Sequence, residues 1–276
     1  MKQLITALLI TFQFTAILAQ DNSNKISEHF NNAKLQMNSL DYAKALSEFE
    51  NGYKYINPKS SINNEYVNAL LFKSKIYSHF EQLDSAEFSI LQACGLSLTE
   101  CKLISDSKRP ATKNNLSVII EKLNKKSYVK DAYGYHIVLS LLYNILGEQD
   151  KVKEEQQKTM DLSSDKKTSL DLGLSLYKIR QRKIDVYNKL SFYENQLKSN
   201  NDGDIKNIEY QIALQKYYLG WIADSEKIVD KYLVENSSDL KFLELKMNLC
   251  MVNGNLNKMK EYEKEITKID ANAFKK

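Results

Sequence analysis

Only two prolines and eight glycines occur in 276 residues. Tight β-turns and β-hairpins draw heavily on both residue types. An all-β sandwich or barrel of this length is therefore not expected, and a mostly helical chain with short connections is. Cysteine is also scarce. Cys94, Cys101 and Cys250 are odd in number and too few for a disulfide scaffold. Cys94 and Cys101 could pair in an oxidising compartment. The reading their surroundings favour is that Cys94 and Cys250, each in an apolar helical stretch, are small core residues. The three histidines, His29, His79 and His136, are far apart and form no His-x-x-x-His or His-Glu-x-x-His pattern. Cys-x-x-Cys, a Gly-x-x-x-x-Gly-Lys phosphate loop and a Gly-x-Ser-x-Gly elbow are missing too. The expectation is a non-enzyme with no catalytic residue, no metal site and no cofactor.

A strong charge of one sign is also lacking. Lys and Arg number 39 against 35 Asp and Glu, a formal +4, which is too mild for a nucleic-acid footprint. Acidic and basic residues are interspersed, as on solvated helix faces. The densest basic run, Lys178-Ile-Arg-Gln-Arg-Lys183, is expected to be a solvated helical turn. Tyr217 and Tyr218 beside Lys216 are too few to make a base-stacking groove, so no nucleic-acid partner is expected. With 43% apolar and 27% charged residues, the chain is too apolar for disorder and too polar for a membrane bundle.

One long apolar run does occur, at the start. Lys2 is followed by an almost wholly apolar stretch from Leu4 to Leu18, with Ala19 small enough for the −1 position and Ile17 tolerable at −3. That is the pattern of a secretory signal peptide over residues 1–19, cut after Ala19, and it is shorter than the ~20 residues that span a bilayer. The expected location is periplasmic or secreted, without stable membrane insertion once the leader is cleaved. A leader kept as an N-terminal anchor is the alternative.

Within 20–276 one pattern recurs: an apolar helix, a short Gly or Asn/Asp turn, then an amphipathic helix. Leu139, Leu142, Tyr143 and Leu146 fall on one helix face, and Gly147 sits where a helix end favours left-handed dihedrals. Ile212 to Leu233 turns at Leu219-Gly220, and Phe242 to Ile266 turns at Asn253-Gly254-Asn255. Gly220 and Gly254 are 34 residues apart. Earlier units carry Ala33, Ala45, Phe49 and Asn57-Pro58, and then Ser74, Tyr77, Ala86 and Ala93. Ser140, Tyr143 and Gly147 mark the third unit, and Ala213, Gly220 and Ser225 the fourth. The fifth keeps Gly254 but has Met247 and Met259 at the usually small positions.

With those residues and that spacing, the chain resembles the tetratricopeptide repeat family. Recognisable units lie near 24–58, 66–97, 132–163, 206–236 and 240–270. The segments 98–131 and 164–205 fit poorly, and each could hold a degenerate hairpin. In 172–197 Leu172, Leu176, Ile179, Val186, Tyr187, Leu190, Tyr193 and Leu197 keep close to one helical face, and Asn200 to Gly203 reads as a surface loop. The resemblance implies an all-α, right-handed solenoid of stacked antiparallel helix hairpins, in which each hairpin buries its apolar face only against its neighbours.

The resemblance also implies a concave groove lined by the first helix of each unit. Carried over by position, its candidates are Lys75, His79, Asn144, Tyr210, Tyr217 and Asn248. Tyr210 and Tyr217, seven apart, are the strongest pair. The family's carboxylate clamp is not reproduced; Lys75 and Asn144 are isolated fragments of it. The expected role is an exported scaffold that binds a protein or peptide. The rival is a sensory or regulatory module of a cell-envelope signalling system, acting through a separate partner. The register makes its own test: Ala213→Phe should overpack the contact between the two helices of the fourth unit and lower stability by about 1–3 kcal/mol, read as a drop in melting temperature.

Overall fold

The computed structural model describes residues 24–39, 41–55, 64–105, 113–126, 133–199 and 204–274. The expected leader at 1–19 and the loop at 200–203 lie outside them. Among the described residues the fold is all-helical, with thirteen helices and no strand. They are α1 (24–38), α2 (Tyr42–Tyr53), α3 (Asn64–His79), α4 (Leu83–Ala93), α5 (Leu98–Ser105), α6 (Lys113–Lys126), α7 (Tyr133–Leu146), α8 (Gln149–Leu162), α9 (Lys166–Ser199), α10 (Ile205–Tyr218), α11 (Ile222–Glu235), α12 (Leu240–Val252) and α13 (Leu256–Ile269). The chain divides into two compact units, the first ending at Ala69 and the second running from Leu70, so the boundary falls inside α3.

The same turn closes five hairpins. At Asp41, Gln82, Glu148, Trp221 and Asn255 the backbone takes φ of −83 to −88° and ψ of 63 to 76°. Each of these residues donates its N–H to the carbonyl five residues back, at 2.8–3.0 Å. That is the bond that caps a helix through a left-handed residue. Gly147, Gly220 and Gly254 supply that residue with φ of 71 to 79°, and in the second hairpin Glu81 does so with φ of 59°, at the steric cost an L side chain carries there.

Eight residues before each turn stands a helix-contact position: Ala33, Ser74, Ser140, Ala213 and Met247. Twelve residues further on stands its counterpart: Ala45, Ala86, Val152, Ser225 and Met259. The first four of each set are buried, Ala33, Ala45, Ala86, Ala213 and Ser225 completely. The larger Met247 and Met259 are only half-buried. Small side chains let the paired backbones close up, and Ser225 Oγ donates to the Ala213 carbonyl at 2.8 Å across the gap. A second interhelical tie repeats as well. His29 meets Glu48 at 2.8 Å and His136 meets Glu155 at 2.5 Å, each pair 19 residues apart and each His four residues before the small position.

The first unit is pinned by its own aromatics: Phe30 stacks on the fully buried Phe49 at 5.2 Å between ring centroids. In the second unit α9 is the organising element. The segment 164–205 holds not a hairpin but one helix of 34 residues, about 50 Å long. Asp165 starts it, accepting from the Lys167 and Thr168 amides and the Thr168 hydroxyl. No proline or glycine pair breaks it afterwards. Leu172, Leu176, Ile179, Val186 and Leu190 are all buried, and α9 packs on α4, α7 and α10. The segment 98–131 contributes α5 and α6, which touch each other and lead to α7.

Close approach dictates one residue. A Cβ on Gly134, in the first turn of α7, would lie 2.2 Å from the Cys94 carbonyl oxygen at the end of α4. Backbone cannot swing aside as a side chain can. Gly134→Ala is therefore expected to lower stability by about 1–3 kcal/mol, seen as an earlier chemical-denaturation midpoint, although alanine is the better helix former.

Candidate functional site

The third hairpin and α9 enclose a concave groove of about 670 Å³. α8 rests broadly on α7, α9 touches α7 over a shorter stretch, and α8 and α9 meet only marginally, so a trough opens between them. Ile137, Leu141 and Asn144 of α7 form its floor. Lys153, Gln156 and Met160 of α8 form one wall, and Leu170, Leu174 and Tyr177 of α9 the other. Each triplet follows the spacing of one helix face. The α9 wall is strongly exposed for apolar residues: 56% for Leu170, 48% for Leu174 and 47% for Tyr177. This helix thus carries two apolar stripes, one turned into the core and one turned into the trough. Among the lining polar groups, Gln149 Nε2 donates to Asn144 Oδ1 at 3.2 Å. Beneath the trough the buried His136–Glu155 pair, joined by Lys158 at 2.9 Å, locks α8 to α7.

The residues expected to line a common groove are distributed. Asn144 stands in the trough. Lys75 and His79 are exposed on α3, where burial lowers the imidazole pKa against the opposing pull of Glu81. Asn248 is half-buried on α12. Tyr210 lines a separate depression of about 400 Å³ with Asn207 and Asp239, its ring edge-on to Phe242 at 5.3 Å.

Tyr217 requires a correction. It does share a face with Tyr210, but that face is packed: Ala213, Tyr217, Val229, Tyr232, Phe242, Leu245 and Leu249 form one buried cluster, with Tyr210 against it. Tyr217 is 4% exposed. Its hydroxyl donates to the Phe80 carbonyl at 3.0 Å, and its own carbonyl accepts from Gln82 Nε2 at 2.7 Å. Burial raises the phenol pKa. Tyr217 ties α10 to the α3–α4 turn and does not face a guest.

The basic run on α9 is likewise not a solvated turn. Lys178 and Arg182 face out, Arg182 pairing with Glu81, but Arg180 and Lys183 point into the core. Arg180 Nη1 donates to Glu87 at 3.0 and 3.3 Å. Lys183 Nζ lies 2.7 Å from Glu87, 2.5 Å from Asp84 and 2.9 Å from the Ser105 carbonyl. Glu87 and Lys183 are sealed from solvent entirely. Two cations balance two carboxylates, so the site is neutral. Burial pushes the Glu87 carboxyl upward, but Lys183 and Arg180 together outweigh it and hold it below its ordinary range. For Asp84 burial wins over Lys183, and the carboxyl is raised. The network clamps α4 and the end of α5 onto α9.

Cys94, Cys101 and Cys250 are buried, free thiols. Burial raises all three, Cys101 to about 12, which keeps them protonated and poor nucleophiles. No group of three His, Cys, Asp or Glu side chains is placed to hold a metal ion among the described residues. None of the described helices is long and apolar enough to cross a membrane.

Compared with protein-family models and with curated proteins, the chain matches none. The case for function therefore rests on the trough itself.

The clamp carries a pH signature. Glu87's folded pKa lies below its unfolded value, so its stabilisation is complete above the ordinary carboxylate range and is lost as pH falls through the folded value. Glu87→Gln leaves Arg180 and Lys183 with Asp84 as their one remaining carboxylate, so one buried positive charge is uncompensated, and should cost about 3–5 kcal/mol at neutral pH. In denaturant titrations that gap should narrow as pH is lowered, because the wild-type carboxylate is then neutralised too.

Proposed function

We propose that this chain is an exported, non-enzymatic scaffold of tetratricopeptide-type helix hairpins, and that it binds a protein or peptide in the trough between α8 and α9. The observation that carries this reading is the exposed stripe Leu170, Leu174 and Tyr177 beside Met160, 38% exposed, in one concave surface. Contiguous exposed apolar patches on soluble proteins usually mark interaction sites. Five hairpins with one turn geometry and one contact spacing support the repeat assignment, and the Leu4–Leu18 run followed by Ala19 supports export. The right-handed stacking of the hairpins is part of this proposal.

The test replaces the stripe without touching the core. Leu170→Glu/Leu174→Glu should leave helicity and melting temperature near wild type, since surface substitutions shift stability by about 0.5 kcal/mol or less. The double variant should lose, by at least about tenfold, whatever wild-type protein captures from cell-envelope extract. A partner recovered in equal amount with both proteins would show that binding occurs elsewhere.

A further inference from the structure

We infer that the trough accepts an amphipathic helix that carries an acidic residue beside its apolar stripe. The inference rests on the binding role proposed above and specifies its partner. Three observations lead to it.

The first is backbone chemistry. Every wall of the trough is a helix, so nearly all of its amides and carbonyls are bonded within the helices. No sheet edge is offered to an extended strand. Of the lining amide side chains, Asn144 and Gln149 are bonded to each other. An extended segment would bring unsatisfied backbone groups against leucines, at a desolvation cost. A helix arrives with its backbone satisfied.

The second is shape. The stripes on α8 and α9 each span eight residues, from Lys153 to Met160 and from Leu170 to Tyr177. That is about two helical turns, or about 10 Å. Two walls diverging from a shared floor form the seat into which the ridge of another helix packs.

The third is charge. Among the described residues that line the trough, Lys153 is the one that is charged and none is a carboxylate. The neighbouring Lys151 and Lys158 are neutralised by Glu148 and by Glu154 and Glu155. Lys153 forms no ion pair among the described residues. A carboxylate on the flank of the incoming helix completes it, and a cation there is repelled.

The experiment uses the full chain and three fluorescent peptides of about 14 residues, long enough for about three to four turns, read by anisotropy at low salt. One is a lactam-stapled helix with leucines on one face and a flanking Glu. The second has Lys in place of that Glu. The third keeps the leucines and the Glu but carries a central proline and no staple. The Glu helix is expected to bind about fivefold or more tightly than the Lys helix, and at least about tenfold more tightly than the proline-broken peptide. Lys153→Glu, checked for unchanged circular dichroism, is expected to reverse the Glu–Lys preference. Equal binding of the Glu and Lys helices, tighter binding of the broken peptide, or no binding of any of the three overturns the inference. If all three bind alike and Leu174→Glu removes them, the acidic-helix assignment falls while the trough remains a binding site. If Leu174→Glu leaves the Glu helix bound as before, both fall.

Discussion

The position of α9 depends on a buried exchange of charge. Glu87 on α4 meets Arg180 and Lys183 on α9 in the buried interior, and the Ser105 carbonyl at the end of α5 accepts a further hydrogen bond from Lys183. Such a cluster is a poor source of net stability, because taking four ions out of water costs nearly what their attraction returns. Its effect is on geometry. The apolar stripe Leu172, Leu176 and Ile179 would tolerate a slide or a rotation of α9, since hydrophobic burial is non-directional. A shift that separates Glu87 from its two cations would not be tolerated. The trough inherits that constraint: its α9 wall, Leu170 to Tyr177, lies in the same helix, beginning about three turns before Arg180 and ending within one turn of it.

The hairpins were the most legible part of the sequence, for a physical reason. Two helices joined by a tight turn can close up only where both carry small side chains, and the turn needs a left-handed residue. Ala33 with Ala45, Ser74 with Ala86, and Ala213 with Ser225 can be seen in the sequence because local geometry fixes their twelve-residue spacing. Gly147, Gly220 and Gly254 are equally visible. Glu81 was not: a glutamate at the left-handed position gives no signal, and the surrounding spacing alone identifies the turn. Nor was the clamp. Lys183 and Glu87 are 96 residues apart, and a lysine in a basic run looks solvated until the carboxylate that neutralises it is known. Tyr210 and Tyr217 fail in the complementary way. Periodicity put them on one face, but periodicity does not say whether a face meets solvent or another helix, and here α11 and α12 cover it.

The candidate site was half-legible for a related reason. Asn144 follows from the repeat register of α7, and Ile137 and Leu141 stand on the same face of that helix. The opposite wall comes from α9, which matches no repeat unit, and its leucines are mingled in sequence with those of the core. Leu170, Leu172, Leu174 and Leu176 alternate in the chain, yet at about 100° per residue successive members of the series turn far around the axis. Leu172 and Leu176 reach the interior and Leu170 and Leu174 the trough. A helix with apolar residues over that wide an arc needs cover on two sides. Within the second unit α4, α7 and α10 supply one side, and among the described residues α7 and α8 stand at the other.

The lopsided cover separates the trough from an ordinary surface dimple. A scattered exposed leucine needs no explanation, and Val234, at 88% exposure, stands apart from the trough. Leu170, Leu174 and Tyr177 differ in being in register with one another, in facing a second wall, and in belonging to a helix whose rotation is fixed by buried charge. Fixed rotation is what makes such a stripe useful for recognition. A partner that docks on it meets side chains already held in place, so less ordering entropy is lost on binding than at a wall free to turn. The clamp and the trough are therefore two consequences of one arrangement: the ions that hold the inward stripe of α9 to the core also hold its outward stripe toward solvent.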